Sequence, residues 1–255
     1  MQHLAGWPSM TAGKALEIAR DPYAALFCLL GVSFTLLVSL LSLPSFKRRF
    51  PGDFSAVMAY FASFFILLFA LPLAYLGARG EPAPWMLGIR LGDWRLGGIL
   101  CLIALPVSFL VSYIGSRDPD IKGRYPYSRE SMLRMSLFIV YEASYLLFYY
   151  VAWEFAFRGV MLFSLAALLP RTLGGAVVAV MCQTLLSTVF HIGHPDSEIG
   201  AALLAGIVFG VIAMATGSIL YTIFIHALIG ILQDCLIYRA QSRSRNQLGT
   251  APSLP

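Results

Sequence analysis

The chain has 255 residues, of which 58% are hydrophobic and 12% charged, about half the charged share of a soluble domain. That excludes a soluble globular protein. The formal net charge of +5 suits loops facing anionic lipid, and no basic cluster is interleaved with the aromatics that a nucleic-acid groove requires, so no nucleic-acid partner is expected.

Uncharged apolar runs of roughly 20 residues, the length that crosses a bilayer, recur about seven times. They predict an all-α polytopic helical membrane protein with about seven transmembrane helices, and six to eight across the ambiguous runs. Residues 1–22 form an N-terminal segment with no apolar signal core, so the first span is expected to be retained. That span is predicted at 23–43, closed by Pro44 and the cluster Lys47, Arg48 and Arg49. The second is predicted at 54–75, with Pro72 bending its last turn, and the third at 96–114, with Pro106 inside it. The loop 115–131 is the most charged part of the chain.

From Met132 one apolar pattern runs to Phe157 and on toward Leu169, longer than a membrane is thick, so it must tilt, break or leave the bilayer. Shorter spans follow at 173–190, 199–215 and 219–237, before an Arg/Ser/Pro tail that is expected to be disordered. The chain therefore divides into an N-terminal segment, 1–22, N-terminal helices and loops, 23–131, a helical core, 132–238, and a tail, 239–255. Cys28, Cys101, Cys182 and Cys235 each stand alone in a separate apolar run and read as small buried hydrophobes. With seven spans and the C-terminus in the cytoplasm, the inner segments hold Lys47, Arg48, Arg49, Arg117, Lys122, Arg124, Arg129, Arg134, Arg239, Arg243 and Arg245. Lys14, Arg20, Arg79, Arg90, Arg95 and Arg171 fall on the other side. A separate piece at 160–169 would flip the first half relative to the second.

Four charged residues lie within apolar spans: Glu142, Glu154, Arg158 and Asp234. At about 2.5 to 3.5 kcal/mol each, they represent roughly 10 kcal/mol that pairing or hydration must offset. Glu154 and Arg158 stand four apart, where a carboxylate and a guanidinium neutralise one another on one helical face. His191, His194 and His226 fall in the same C-terminal half, inside or at the ends of apolar spans. Together these groups predict a polar pocket in lipid, of the kind that holds water, a metal or protons. Glu142 is expected to bond nearby tyrosines in a helix interface. Ala202, Gly206 and Gly210 form a small-residue stripe for close helix packing. Pro195 disfavours helix at His194, making Asp196 an expected N-cap with Glu198 in the first helical turn.

The segment Glu154-Phe-Ala-Phe-Arg158-Gly159, then Phe190-x-x-x-His194, then His226 in the last span, resembles the CAAX protease and bacteriocin-processing family of intramembrane endopeptidases, the family of the type II CAAX prenyl endopeptidases. The loop from Leu87 to Gly97 is similar to the entry segment of many bacterial members. By position the resemblance makes Glu154 the second of two adjacent family glutamates, Arg158 the arginine, and His194 and His226 the two histidines. Two positions depart from the family pattern. Trp153 stands where the first glutamate is expected, and Gly230 where the last motif has Asn or Asp. Trp153-Glu-Phe-Ala-Phe-Arg-Gly159 also resembles the W-E-F-x-F-R-G segment of a bacterial subgroup.

The resemblance implies an intramembrane protease in the inner cell membrane, acting on a membrane protein, a membrane-associated peptide or a lipidated peptide. Its expected catalytic residues are Glu154, Arg158, His194, His226 and Glu198. Glu154 would be the base or its direct partner, Arg158 would keep it ionised, and Glu198 would take part of the role vacated at Trp153 by pointing back toward Glu154. His194, His226 and Glu154 would hold Zn2+ or another divalent metal, or polarise water without one; both mechanisms fit these residues. Asp234 would orient a histidine or a substrate backbone. The rival readings are a non-catalytic membrane protein that keeps the cavity for bacteriocin immunity or chaperoning, and a small-ion or proton-coupled carrier.

Overall fold

A computed structural model describes residues 20–247, apart from the side chains of residues 83, 84 and 245–247. The expectations for residues 1–19, for Lys14 and the Arg245 side chain, and for the end of the tail, 248–255, lie outside the described residues. Among the described residues every regular element is helical. The helices are α1 (Pro22–Ser39), α2 (Leu43–Arg49), α3 (Asp53–Ala78), α4 (Trp94–Gly115), α5 (Pro119–Arg124), α6 (Met135–Leu168), α7 (Leu173–Val189), α8 (Asp196–Thr216) and α9 (Leu220–Gln247), with a single turn at Ala83–Met86.

Six of these, α1, α3, α4, α6, α8 and α9, are long and apolar enough to cross a membrane. The shorter α7 is apolar and carries the chain back across the bundle between α6 and α8. The protein is thus an all-α polytopic membrane protein. The long apolar pattern is one continuous helix, α6, with no separate piece at 160–169. Its 34 residues span about 50 Å against a hydrocarbon core of about 30 Å, so it tilts or projects. It stays continuous through two π-helical stretches, Tyr145–Tyr150 and Phe155–Phe163, local widenings that recur at functional sites. In α3, Pro72 follows a π-helical turn, Ile66–Ala70, and the helix runs on to Ala78.

Local chemistry sets the helix ends. Asp21 Oδ1 accepts from the amides of Tyr23 and Ala24 at 2.8 and 3.0 Å, with Pro22 at the first helical position. Thr172 caps α7 through the Gly175 amide, and α8 closes on Gly217 at φ 66°, a left-handed conformation that glycine adopts without strain. The first amides of α3 are capped from a distance, since Glu130 accepts from Asp53 and Phe54 at 2.9 and 3.1 Å. Two expectations fail at helix ends. Pro195 rather than Asp196 is the N-cap of α8, with no side-chain bond, because its fixed φ already suits the helix entry. Residues 239–247 are helical rather than part of a disordered tail, since no glycine or proline interrupts them.

The connections gather at two opposite ends. At one, Arg124 bonds the Gly193 carbonyl at 2.9 Å and Ser197 bonds Asp118 at 3.0 Å, tying the charged loop to the α7–α8 turn. At the other, the Leu87–Gly92 stretch meets the α8–α9 turn through Ile219 N to Gly88 O at 3.0 Å and Arg90 to Gly217 O at 2.9 Å. The core lies around α6. Phe61 and Phe64 of α3 stack on Tyr145 and Tyr149 at 4.9 and 4.7 Å, and Trp153 continues the column. Gly206 and Gly210 pack on Thr184, Gln183 and Val180 of α7, as the small-residue stripe predicts. The four cysteines are free, but none is fully buried, and Cys28 is exposed on α1.

Candidate active site

Glu154 lies at the junction of the two π-helical stretches of α6 and is fully buried. Its Oε1 accepts from Arg158 Nη1 at 3.2 Å and meets His226 Nδ1 of α9 at 2.6 Å, while Oε2 has no partner. Arg158 is also buried, with its guanidinium over the Phe209 ring at 5.4 Å. The pair anticipated from the four-residue spacing therefore forms, and α9 adds the histidine. The tautomer of His226 that donates from Nδ1 to Glu154 has Nε2 as an acceptor.

A second carboxylate–histidine pair forms at the start of α8. Glu198 Oε1 meets His194 Nδ1 at 2.7 Å and accepts from the Tyr125 hydroxyl at 2.6 Å. Glu198 thus faces His194 and Tyr125 through Oε1, while its Oε2 is buried without a partner. Burial pushes the Tyr125 phenol well above its ordinary range, so it serves as a donor. Between α6 and the second pair stands His191, whose ring lies 5.3 Å from His194 and 5.3 Å from Trp153, the neighbour of Glu154 in α6. His191 Nδ1 bonds the Ser187 carbonyl at 2.8 Å, and burial pushes its pKa down to about 4. An open groove of about 480 Å³ between Pro119–Arg124 and Gly193–Pro195 reaches His194 from the end of the bundle that carries the charged loop.

The residues expected to hold a divalent metal, His194, His226 and Glu154, are divided between the two pairs. Among the described residues no three His, Cys, Asp or Glu side chains stand together as a metal site. These side chains therefore do not form a three-ligand zinc set as they stand.

Both departures from the family pattern have a packing explanation. Trp153 fills its position with an indole stacked on Tyr149 and edge-on to His191. A Cβ at Gly230 would fall on the Tyr150 hydroxyl, so only glycine lets Tyr150, one turn before Glu154, lie against α9 with its ring 4.9 Å from His226. Two other expectations are corrected. Neither oxygen of Glu142 bonds a tyrosine, and Asp234 orients no histidine, because both oxygens of each carboxylate lack a partner. Tyr125 and Tyr150 carried no signal that sequence reasoning used; Tyr125 sits in a loop 69 residues before His194.

No curated protein and no solved structure matches the chain. A family model described as type II CAAX prenyl endopeptidase Rce1-like does match, over residues 135–232. The segment that contributes Glu154, Arg158, His194, Glu198 and His226 is therefore the part of the chain that is similar to the Rce1-like type II CAAX prenyl endopeptidases.

Proposed function

We propose that the protein is an intramembrane endopeptidase that hydrolyses a membrane-associated or lipidated peptide with a water held between the two carboxylate–histidine pairs. The observation that carries this reading is the fully buried Glu154 carboxylate, bonded on one oxygen by Arg158 and His226. Arg158 keeps that carboxylate anionic, and the carboxylate fixes His226 with Nε2 free to act as a base. Water gives a proton to Nε2 as its oxygen attacks the peptide carbonyl. Glu154 stabilises the resulting imidazolium, which returns the proton to the leaving amine as the C–N bond breaks. In this reading His194, paired through Nδ1 with the Glu198 carboxylate beside the groove, takes part in its doubly protonated form and donates from Nε2 to the carbonyl oxygen. The family match over the same residues supports the assignment. The site residues, the inner-membrane location and the peptide substrate belong to this proposal.

One observation favours a non-catalytic reading: Trp153 fills with an indole the place where the family pattern has a carboxylate. A deletion strain separates the two readings. Its membrane fraction should accumulate an uncleaved precursor, processed again on return of the wild-type gene. Glu154→Gln, His194→Ala and His226→Ala should insert at normal abundance and process at least 100-fold more slowly, the scale of a lost acid–base group. Glu198→Gln keeps the size of the side chain and should insert at normal abundance, with a similar loss of turnover. Normal processing by Glu154→Gln overturns the mechanism. Absence of any precursor in the deletion strain favours the non-catalytic reading.

A further inference from the structure

Helices α6 and α9 run antiparallel, and three contacts fix their register. Phe138 stacks on Tyr238 at 4.5 Å, Tyr150 fills the space over Gly230, and Glu154 meets His226. Glu142 lies one turn beyond Phe138 on α6, and Asp234 one turn before Tyr238 on α9. The first contact therefore sets the two carboxylates opposite one another. Asp234 is 1% and Glu142 8% exposed, and none of their four oxygens has a hydrogen-bond partner. The Tyr141 hydroxyl, which accepts from the Tyr127 amide at 3.1 Å, stands beside Asp234 with its own O–H left to donate.

Among the described residues neither carboxylate forms an ion pair. Arg129, the guanidinium whose charge reaches Asp234, donates instead to the carbonyls of Lys122, Gly123 and Tyr125. Arg134 and Arg239, at the same end of the two helices, are exposed. The His226–Glu154–Arg158 set lies two turns away along α9, and its guanidinium is paired with Glu154. Two adjacent carboxylates in a low-dielectric interior are both ionised only where a counter-charge stands beside them, and are otherwise neutralised by protons.

We propose that Glu142 and Asp234 form a binding site for a hard divalent cation of the calcium class, separate from the candidate active site and joining α6 to α9. Charge and donor type support this occupant. One divalent ion balances two carboxylates, and their oxygens are the donors that calcium takes in six- to eight-fold, flexible coordination, with water or phenols completing the shell. Magnesium loses its waters reluctantly and suits a buried two-helix site less well. Asp234 lies just beyond the segment matched to the family, 135–232. The site holds together the two helices that bring Glu154 to His226.

The test uses the full chain purified in detergent, with calcium as the probe. Radioactive calcium should bind at one ion per chain. One millimolar calcium after EDTA treatment should raise the unfolding temperature by several degrees, against a choline control. Glu142→Gln and Asp234→Asn keep size and shape, and each should abolish both binding and the rise, whereas Glu198→Gln should keep them. Absence of binding to the wild-type protein overturns the site. So does binding that survives both substitutions, or a shift given equally by sodium. A stability change that follows pH alone would show that the pair shares protons and would equally overturn the proposal. Because Glu142 and Asp234 take no part in the peptidase reading, failure of that reading leaves these outcomes unchanged.

Discussion

Helices α4 and α6 both have the length and composition of membrane spans, yet 17% of the apolar stretch of α4 is buried within the protein and 67% of that of α6. Of the two, α6 is the less apolar. A bilayer inverts the expectation from water: the helix richest in Leu, Ile and Val faces lipid, and the one carrying Glu142, Glu154, Arg158 and a column of tyrosines is wrapped by its neighbours. Burial within the protein is where polar groups find partners. Mutations on α6 should therefore act through lost partners, and mutations on the outer face of α4 hardly at all.

The largest effect is expected at Arg158. Removing the guanidinium leaves the buried Glu154 carboxylate bonded only by His226, at a cost of about 3 to 5 kcal/mol for breaking a buried pair. Arg158→Ala should lower both abundance and activity. Arg158→Lys should keep most abundance and lose most turnover, because the planar fork is gone. Detergent melting curves beside precursor processing check both. Wild-type turnover in the Lys variant would show that guanidinium geometry is irrelevant.

Next comes His191, which α6 buries through Trp153. Burial holds its pKa at about 4, below the ordinary 6.5. A folded-state pKa below the unfolded one means that the unfolded chain binds the proton more readily. The stability contribution is then complete above pH 6.5 and declines as pH falls from there toward 4. At pH 5 the loss is about 2 kcal/mol, from about 1.4 kcal/mol per pKa unit. His191→Asn, which can keep the bond to the Ser187 carbonyl, should remove this part of the pH dependence of melting between pH 7 and 5. An unchanged pH profile would mean that His191 is not desolvated.

What the sequence made legible follows the same division. Span positions were readable because length and apolarity are local properties, and the Glu154–Arg158 pair because a four-residue spacing is local too. The union of Glu154 with His226, 72 residues apart, followed only from the order of motifs in a resembling family. Continuity of α6 was not readable, since π-helical turns leave the apolar pattern unchanged. Neither Tyr125 on Glu198 nor Glu142 opposite Asp234 could be read, because each depends on the register of elements distant in sequence.

A smaller effect is expected at Gly230. Alanine there would drive a Cβ into the Tyr150 hydroxyl, at about 1 to 3 kcal/mol for overpacking. Tyr150→Phe in the same chain should recover part of that loss, since the hydroxyl is the atom struck. If the double variant melts no higher than Gly230→Ala alone, the packing explanation of this family departure fails.

The smallest effect sharpens the comparison within α4 itself. Gly97 and Gly98 are neighbours, but a Cβ at Gly97 would strike the Tyr221 ring of α9, whereas one at Gly98 meets nothing within 4 Å. Exchange of an unhindered helical glycine for alanine gains up to about 1 kcal/mol through backbone entropy. Gly98→Ala should therefore melt at or slightly above the wild-type temperature. Gly97→Ala should melt lower, because the α4–α9 contact must open or the ring must move. The two variants change the same atoms one residue apart, so helix propensity is common to both. Any difference in melting reports whether the position faces lipid or protein. Equal shifts would mean that α4 does not hold this orientation against α9, and would remove the basis for treating its outer face as lipid-exposed.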